Sequence, residues 1–242
     1  MLTKSQIKYI QSLGHKKHRD AEKLFLAEGP KIVGEWLQEH GLRLQTIYAT
    51  QQWIEQHGQI AVPVQKVTED ELAKISQLQT PNQVLAVVHQ QEPPAALEAS
   101  SSLVLALDTI QDPGNLGTII RIADWFGINA IVCSRECADI YNPKVVQSTM
   151  GSLARVRILY ADLVEWIESQ PGCRVYAAAL EGQDAGKMGV LKSGVLVIGN
   201  ESKGISAPVM AKVNVRITIP RKGKAESLNA AVATGILLSK LT

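Results

Sequence analysis

Beyond residue 102 the chain alternates short apolar runs with helical patterns, and that alternation constrains the fold more than any other feature. Leu103 to Leu107, Ala130 to Cys133, Val175 to Ala179, Val195 to Ile198 and Val215 to Ile219 are short and rich in Val and Ile. Leu116 to Phe126, Leu163 to Glu168, Pro208 to Val213 and Ser227 to Leu241 separate them with helical spacing. Continuous hydrophobicity suits strands covered on both faces, as in a parallel sheet, and the intervening helices supply the crossovers. The expected class is therefore α/β with a parallel sheet.

The stretch Gln90 to Ser102 holds two consecutive prolines and then small and polar residues, with no apolar period. It reads as a linker. The expected division is residues 1–92, a linker at 93–102, and a larger domain at 103–242, in keeping with domains of ~100–150 residues. The first part is expected to be a small α/β unit. Ile32, Val33, Trp36 and Leu37 have helical spacing, Leu42 to Ala49 and Val84 to His89 read as strands, and Gln51 to Gln56 reads as a helix. Thr68 with Glu71 three residues on has the form of a capping box.

Hydrophobic residues make up 45% of the chain and charged residues 20%, which excludes a disordered chain. No apolar run approaches the ~18 residues of a membrane span. The polar, basic segment Met1 to Asp20 lacks the apolar stretch of a secretory signal, and three cysteines suit no disulfide framework, so a cytoplasmic protein without a membrane partner is expected. Cys133 and Cys137 lie four apart with no histidine beyond His89, and buried thiols without metal are the expectation. The net charge of +2 conceals segregation. Met1 to Lys31 carries seven Lys or Arg against three acids, Ile32 to Ser100 three against eight, and the remainder 15 against 12. The N-terminal cluster, Lys16, Lys17 and Arg19 with Lys31 nearby, is either a solvated helix face or a patch that attracts phosphates.

Ligands of open parallel sheets bind beyond the carboxyl ends of the strands. Three loops stand there. The first runs Asp112-Pro113-Gly114-Asn115 and on to Arg121, a turn with a helix cap followed by a cation that is either merely exposed or aimed at a phosphate. The second, Gly199-Asn200-Glu201-Ser202-Lys203-Gly204, permits close backbone approach but is neither a dinucleotide fingerprint nor a P-loop. The third carries Arg221, Lys222 and Lys224, then Ser227, Leu228 and Asn229, where Ser227 or Asn229 can cap the next helix or orient a substrate. Chemistry in this half of the chain has no imidazole to use.

In this order the three loops resemble the three motifs of the SpoU (TrmH) family of RNA 2′-O-ribose methyltransferases. Ala138 to Gly151, Phe25-Leu26-Ala27-Glu28-Gly29 and Thr80-Pro81 fit as well, so the resemblance spans nearly the whole chain. Two departures stand out: Pro81-Asn82-Gln83 where many relatives read Pro-Gln-Gly, and Gln147 where many carry Arg. The resemblance implies a trefoil-knotted methyltransferase domain, an N-terminal RNA-binding domain, S-adenosylmethionine as cofactor, and a homodimer whose contact the small-residue helix Ser227 to Leu241 could form. It implies cofactor contacts from backbone at Ala179, Leu180, Gly199, Gly204, Ile219 and Leu228. Arg121, Asn115, Glu201, Ser227 and Asn229 are the implied catalytic set. Lys16, Lys17, Arg19, Lys31, Lys144, Arg221, Lys222 and Lys224 are the expected RNA contacts. Arg121 is either the proton acceptor or a phosphate anchor and electrostatic stabiliser, since a guanidinium rarely gives up its proton. The expected activity is ribose methylation of RNA, ribosomal before transfer RNA. The alternative is a catalytically inactive RNA-binding or assembly protein.

Overall fold

The computed structural model describes residues 1–39 and 43–242. The helices are α1 (Lys4–Ser12), α2 (Lys16–Glu22), α3 (Pro30–Gln38), α4 (Gln51–His57), α5 (Glu69–Ile75), α6 (Pro113–Trp125), α7 (Pro143–Thr149), α8 (Leu163–Glu168), α9 (Ala207–Met210) and α10 (Ala230–Leu241). The strands are β1 (Leu24–Glu28), β2 (Leu44–Ala49), β3 (Val64–Lys66), β4 (Val84–His89), β5 (Leu103–Asp108), β6 (Ala130–Cys133), β7 (Arg157–Tyr160), β8 (Val175–Asp184), β9 (Gly194–Gly199) and β10 (Val215–Thr218). They form two compact units. One is Met1–Glu92 with Asp139–Ala154, the other Pro93–Ala138 with Arg155–Thr242.

The first unit is built on a four-stranded sheet of order β1-β4-β2-β3, antiparallel except for the β2–β3 pair. Leu24, Leu26, Leu85 and Val87 share a core with Ile10 and Leu13 of the N-terminal segment and Leu72 and Ile75 of α5. Thr68 closes the expected capping box with Glu71. The sequence patterns revealed two of the four strands. β1 is a five-residue run buried at every position, and β3 has only three residues, so neither shows alternation. Of the expected strand from Leu42, the first residue lies outside the described residues, and the strand runs over Leu44–Ala49. The segment Asp139–Ala154, placed by the sequence reading in the larger domain, packs in this unit through α7 against β1. Phe25 packs against Tyr141, the rings tilted by 33° with centroids 4.7 Å apart.

The second unit is a six-stranded sheet, β10-β8-β9-β5-β6-β7, in which every pairing is parallel. All six residues of β5 are buried, as a strand covered on both faces requires. Val104, Ala106, Val132, Val195 and Val197 pack with Leu163, Trp166 and Ile167 of α8 on one side of the sheet. The sixth strand, β7, was not visible as an apolar run, because it is an edge strand with an exposed Arg157. One irregularity bears on the site. β8 pairs with β10 at Ala177↔Arg216 and resumes at Gln183↔Ile217, so residues 178–182 loop out against a single step of the neighbour. Gly182 is required there, since a Cβ would lie 2.4 Å from the Arg216 carbonyl oxygen. Among the described residues no helix is long and apolar enough to cross a membrane.

Candidate active site

Each of the three loops leaves the carboxyl end of a strand in the second unit. The first follows β5. Asp112 caps α6, its Oδ1 accepting from the Asn115 N–H at 2.8 Å, and Pro113 opens the helix where no backbone donor is needed. The second follows β9 and folds back on itself, because Asn200 and Gly204 exchange backbone hydrogen bonds at 3.0 and 2.8 Å. Gly199 permits that closure, since a Cβ would sit 2.5 Å from the Gly204 backbone. The third follows β10 and ends at Asn229, whose Oδ1 caps α10 by accepting from Ala231 N–H at 3.0 Å and Val232 N–H at 3.2 Å. The cap is therefore Asn229, and Ser227 stays exposed.

The loops meet in a closed hydrogen-bonded ring. Asn229 Nδ2 donates to Asn115 Oδ1 at 2.9 Å and to Glu201 Oε1 at 2.8 Å, and Asn115 Nδ2 donates to the same Glu201 oxygen. The Ala230 N–H, at the start of α10, points to it from 3.4 Å. A carboxylate at a helix N-terminus is favoured by the unpaired donors there. Three of the five expected catalytic residues are thus joined across 114 positions of sequence. Arg121 is exposed on α6, six residues and ~9 Å along the axis from Asn115, outside the ring.

Of the expected cofactor positions, Gly199 ends β9, Ile219 follows β10, Ala179 and Leu180 lie in the looped-out part of β8, the strand between those two, and Gly204 and Leu228 lie in the loops that follow β9 and β10. Thr218 Oγ1 donates to the Leu180 carbonyl at 2.9 Å, joining the looped-out part of β8 to the residue before Ile219. Ala179 lies two residues past the last β8–β9 pair and Gly199 ends β9. Leu180 is 76% exposed and Leu228 45%, and Gly204 has φ 68°. Main-chain polar groups at these positions, with the uncovered side chains of Leu180 and Leu228, fit a ligand with an apolar body and polar edges, such as S-adenosylmethionine.

The expected RNA contacts divide. Lys17, Lys31, Lys144, Lys222 and Lys224 are exposed, Lys16 pairs with Asp20 at 3.0 Å on the surface, and Arg221 donates to the Ala225 carbonyl at 3.3 Å. Arg19 departs from the expectation. It is 2% exposed, donating to Asp139 at 2.7 Å and to the carbonyls of Leu13 and Gly14 at 3.1 and 2.7 Å. The inner face of α2 carries it into the unit, so it is not available to a phosphate. The sequence reading also passed over Thr109, which precedes the first loop with φ 61°, a conformation that β-branched residues rarely adopt.

Both halves of the chain match known families. The SpoU rRNA Methylase family model matches residues 102–239, and the MRM3-like substrate binding domain matches residues 4–86. The chain is 32% identical over 239 residues to the 23S rRNA (guanosine(2553)-2′-O)-methyltransferase RlmP of Bacillus subtilis, covering 98% of this chain and 95% of that protein. Its structure resembles a TrmH-family protein from Porphyromonas gingivalis, with a TM-score of 0.89 and 38% identity over 99% of this chain and 98% of that one. It likewise resembles an AdoMet-bound rRNA methyltransferase from Sinorhizobium meliloti, with a TM-score of 0.86 and 33% identity over 99% and 95% of the two chains. The chain belongs to the SpoU rRNA methylase family.

Proposed function

We propose that this protein methylates a ribose 2′-hydroxyl of RNA, with ribosomal RNA as the substrate class. The observation that carries the reading is the ring of Asn115, Glu201 and Asn229, with Arg121 on the helix that Asn115 opens. The rRNA named for the Bacillus and Sinorhizobium relatives supports the substrate class. The backbone at Ala179, Leu180, Gly199, Gly204, Ile219 and Leu228 would hold S-adenosylmethionine, which supplies a methyl group already activated on a sulfonium.

What remains for the chain is to hold the hydroxyl in line, to let its proton leave, and to stabilise the charge that develops on oxygen. Orientation alone can supply ~7–11 kcal/mol. Arg121 is exposed and points no hydrogen bond at the ring, so its guanidinium is available to an RNA phosphate and to the developing alkoxide. We assign it that electrostatic role and not that of the base, because losing its own proton is costly. The ring holds Asn115 and the start of α10 in register for the ribose, and Ser227 stands exposed beside it. Lys17, Lys31, Lys222 and Lys224 offer phosphate contacts.

We further infer a homodimer formed through α6 and α10. These helices pack together, with Ile122 Cδ1 3.6 Å from where a Gly235 Cβ would stand. Trp125 and Val232 remain 83% and 51% exposed on them, an apolar pair that a second copy would cover. The family's trefoil knot belongs to the same reading. It is supported by the path of α10, which leaves the edge strand β10 yet packs on α6. The cytoplasmic location is part of the same reading, supported by the rRNA named for the Bacillus relative.

The test is transfer of labelled methyl from S-adenosylmethionine to unmodified ribosomal and transfer RNA, with ribose methylation mapped in RNA from cells lacking the protein. Label confined to ribosomal RNA at a ribose is the expected result. Label in transfer RNA only would reassign the substrate. Binding of RNA without transfer would leave an assembly protein.

A further inference from the structure

The second loop is held at both ends by the residue pair that closes β5. At its start, Asn200 Nδ2 donates to the Thr109 carbonyl at 2.8 Å. Beyond its end, the Ser206 N–H donates to Asp108 Oδ2 at 2.7 Å. Thr109 keeps its left-handed backbone through three bonds. Its N–H donates to Ser134 Oγ at 3.0 Å, its Oγ1 donates to Asp108 Oδ1 at 3.0 Å, and its carbonyl accepts from Asn200. Such a conformation persists only where the surroundings over-determine it, and it gathers at functional sites.

Asn200 uses both ends of its amide. Its Oδ1 accepts from the N–H groups of Ser202 at 2.9 Å and Lys203 at 3.1 Å, which shapes the loop. Its Nδ2 crosses to Thr109, 91 residues away, which ties the loop to the start of the first one. The orientation of the amide is fixed by this pattern, since the reverse would set oxygen against a carbonyl and nitrogen against two donors. Glu201 is the next residue, and its carboxylate reaches Asn115 and Asn229 from the loop that Asn200 anchors.

We propose that Asn200 is a positioning residue for methyl transfer: its bond to the Thr109 carbonyl sets the spacing of the first and second loops and so seats Glu201 against Asn115 and Asn229. The role rests on the functional reading above. It follows from the sensitivity of oriented reactions to placement, where an error of about 1 Å can cost ~100-fold in rate.

Asn200→Asp separates the two ends of the amide. The carboxylate still accepts from Ser202 and Lys203 but has no hydrogen for Thr109. The expected result is a fall in kcat of tenfold or more, with KM for RNA changed less than threefold and the melting temperature near that of the wild type. Because Asn200 acts through Glu201, the double variant Asn200→Asp with Glu201→Gln should be no slower than Glu201→Gln alone, which a general loosening of the fold would not give. Asn200→Ala, free of the added charge, carries the same expectations for kcat and for the double variant should the aspartate variant fail to fold, with some loss of stability as the bonds to Ser202 and Lys203 go as well. Turnover within twofold of the wild type, or losses that multiply in the double variant, would overturn the role. An inactive wild type on every RNA would overturn the functional reading and this role with it. An active wild type with unimpaired Asn200 variants would overturn the positioning role alone.

Discussion

Asn229 and Asn115 face each other across the second unit, the Nδ2 of Asn229 donating to the Oδ1 of Asn115 at 2.9 Å while its own Oδ1 caps α10. The two functions of this side chain can be parted. Asn229→Asp keeps an oxygen for the cap and places a negative charge at a helix N-terminus, where it is tolerated. It removes the donors to Asn115 and Glu201 and sets two carboxylates together. Losing a hydrogen bond to a charged group costs ~1.5–3 kcal/mol, and partial exposure keeps the loss toward the lower end. Methyl transfer should fall about tenfold or more. Thermal unfolding should come earlier in both variants, and Asn229→Ala should lose a further ~1 kcal/mol of stability with the cap.

Arg121 should prove indispensable without contributing much to RNA affinity. Arg121→Ala is expected to lower kcat ~100–1,000-fold, the range seen when one electrostatic stabiliser is removed from a reacting oxygen. Arg121→Lys should fall between the two, because it keeps the charge and loses the planar fork that meets a phosphate with two bonds. Single-turnover transfer and filter binding on the same RNA separate chemistry from affinity. Full activity in the alanine variant with unchanged binding would end the assignment.

Much of this site was legible because its chemistry is local. Asp112-Pro113-Gly114-Asn115, Gly199 to Gly204 and Ser227-Leu228-Asn229 each announce a turn and a helix start after an apolar run, and the structure joins them through Asn115, Glu201 and Asn229. The parts that escaped depend on distant partners. Nothing adjacent to Arg19 says that Asp139, 120 residues on, will bury it. The same contact explains why Asp139–Ala154 packs with the first unit, although its sequence neighbours lie in the second. Of the looped-out residues 178–182, Ala178 and Ala179 read as the end of the apolar strand from Val175, since register with β10 leaves no trace in composition.

The basic N-terminal segment should respond to mutation in two different ways. Arg19→Ala strands Asp139 in a mostly buried setting and is expected to cost ~3–5 kcal/mol, read as an earlier unfolding transition of the first unit. Lys17→Ala touches an exposed side chain. It should leave unfolding unchanged and weaken RNA binding modestly, lowering the slope of log affinity against log salt by about one. Equal effects of the two variants on RNA affinity, with no loss of stability in either, would contradict this division.

Glu28 gives the first unit a pH dependence of known sign. It is 5% exposed, and burial raises its pKa above the usual carboxylate value despite hydrogen bonds from the Ser76 hydroxyl and from the Gln77 N–H at 2.9 Å. A carboxyl with a raised folded pKa binds its proton more tightly when folded. Its contribution is therefore fully present below the unfolded value and is lost as pH rises through the folded one. The wild type should gain stability relative to Glu28→Gln on acidification through that window, and lose the advantage by neutral pH. Denaturant unfolding of both proteins between pH 4 and 7 measures the difference directly, and a gap that is constant or widens toward neutrality would refute the assignment.

Trp125 offers a reporter for the inferred dimer. It is 83% exposed, whereas Trp36, Trp53 and Trp166 are 1%, 0% and 7% exposed, so quenching by an added solute reads Trp125 almost alone. In a two-fold dimer each copy contributes the same residue, and every substitution counts twice. Burial of an indole on both sides makes it a strong anchor for such a contact. Dilution of the wild type should raise quenching as subunits separate. Trp125→Glu should sediment as a monomer at concentrations where the wild type is dimeric, with the dissociation constant raised about tenfold or more. A wild type that sediments as a monomer at every concentration, with Trp125 quenched fully throughout, would remove α6 and α10 as an interface.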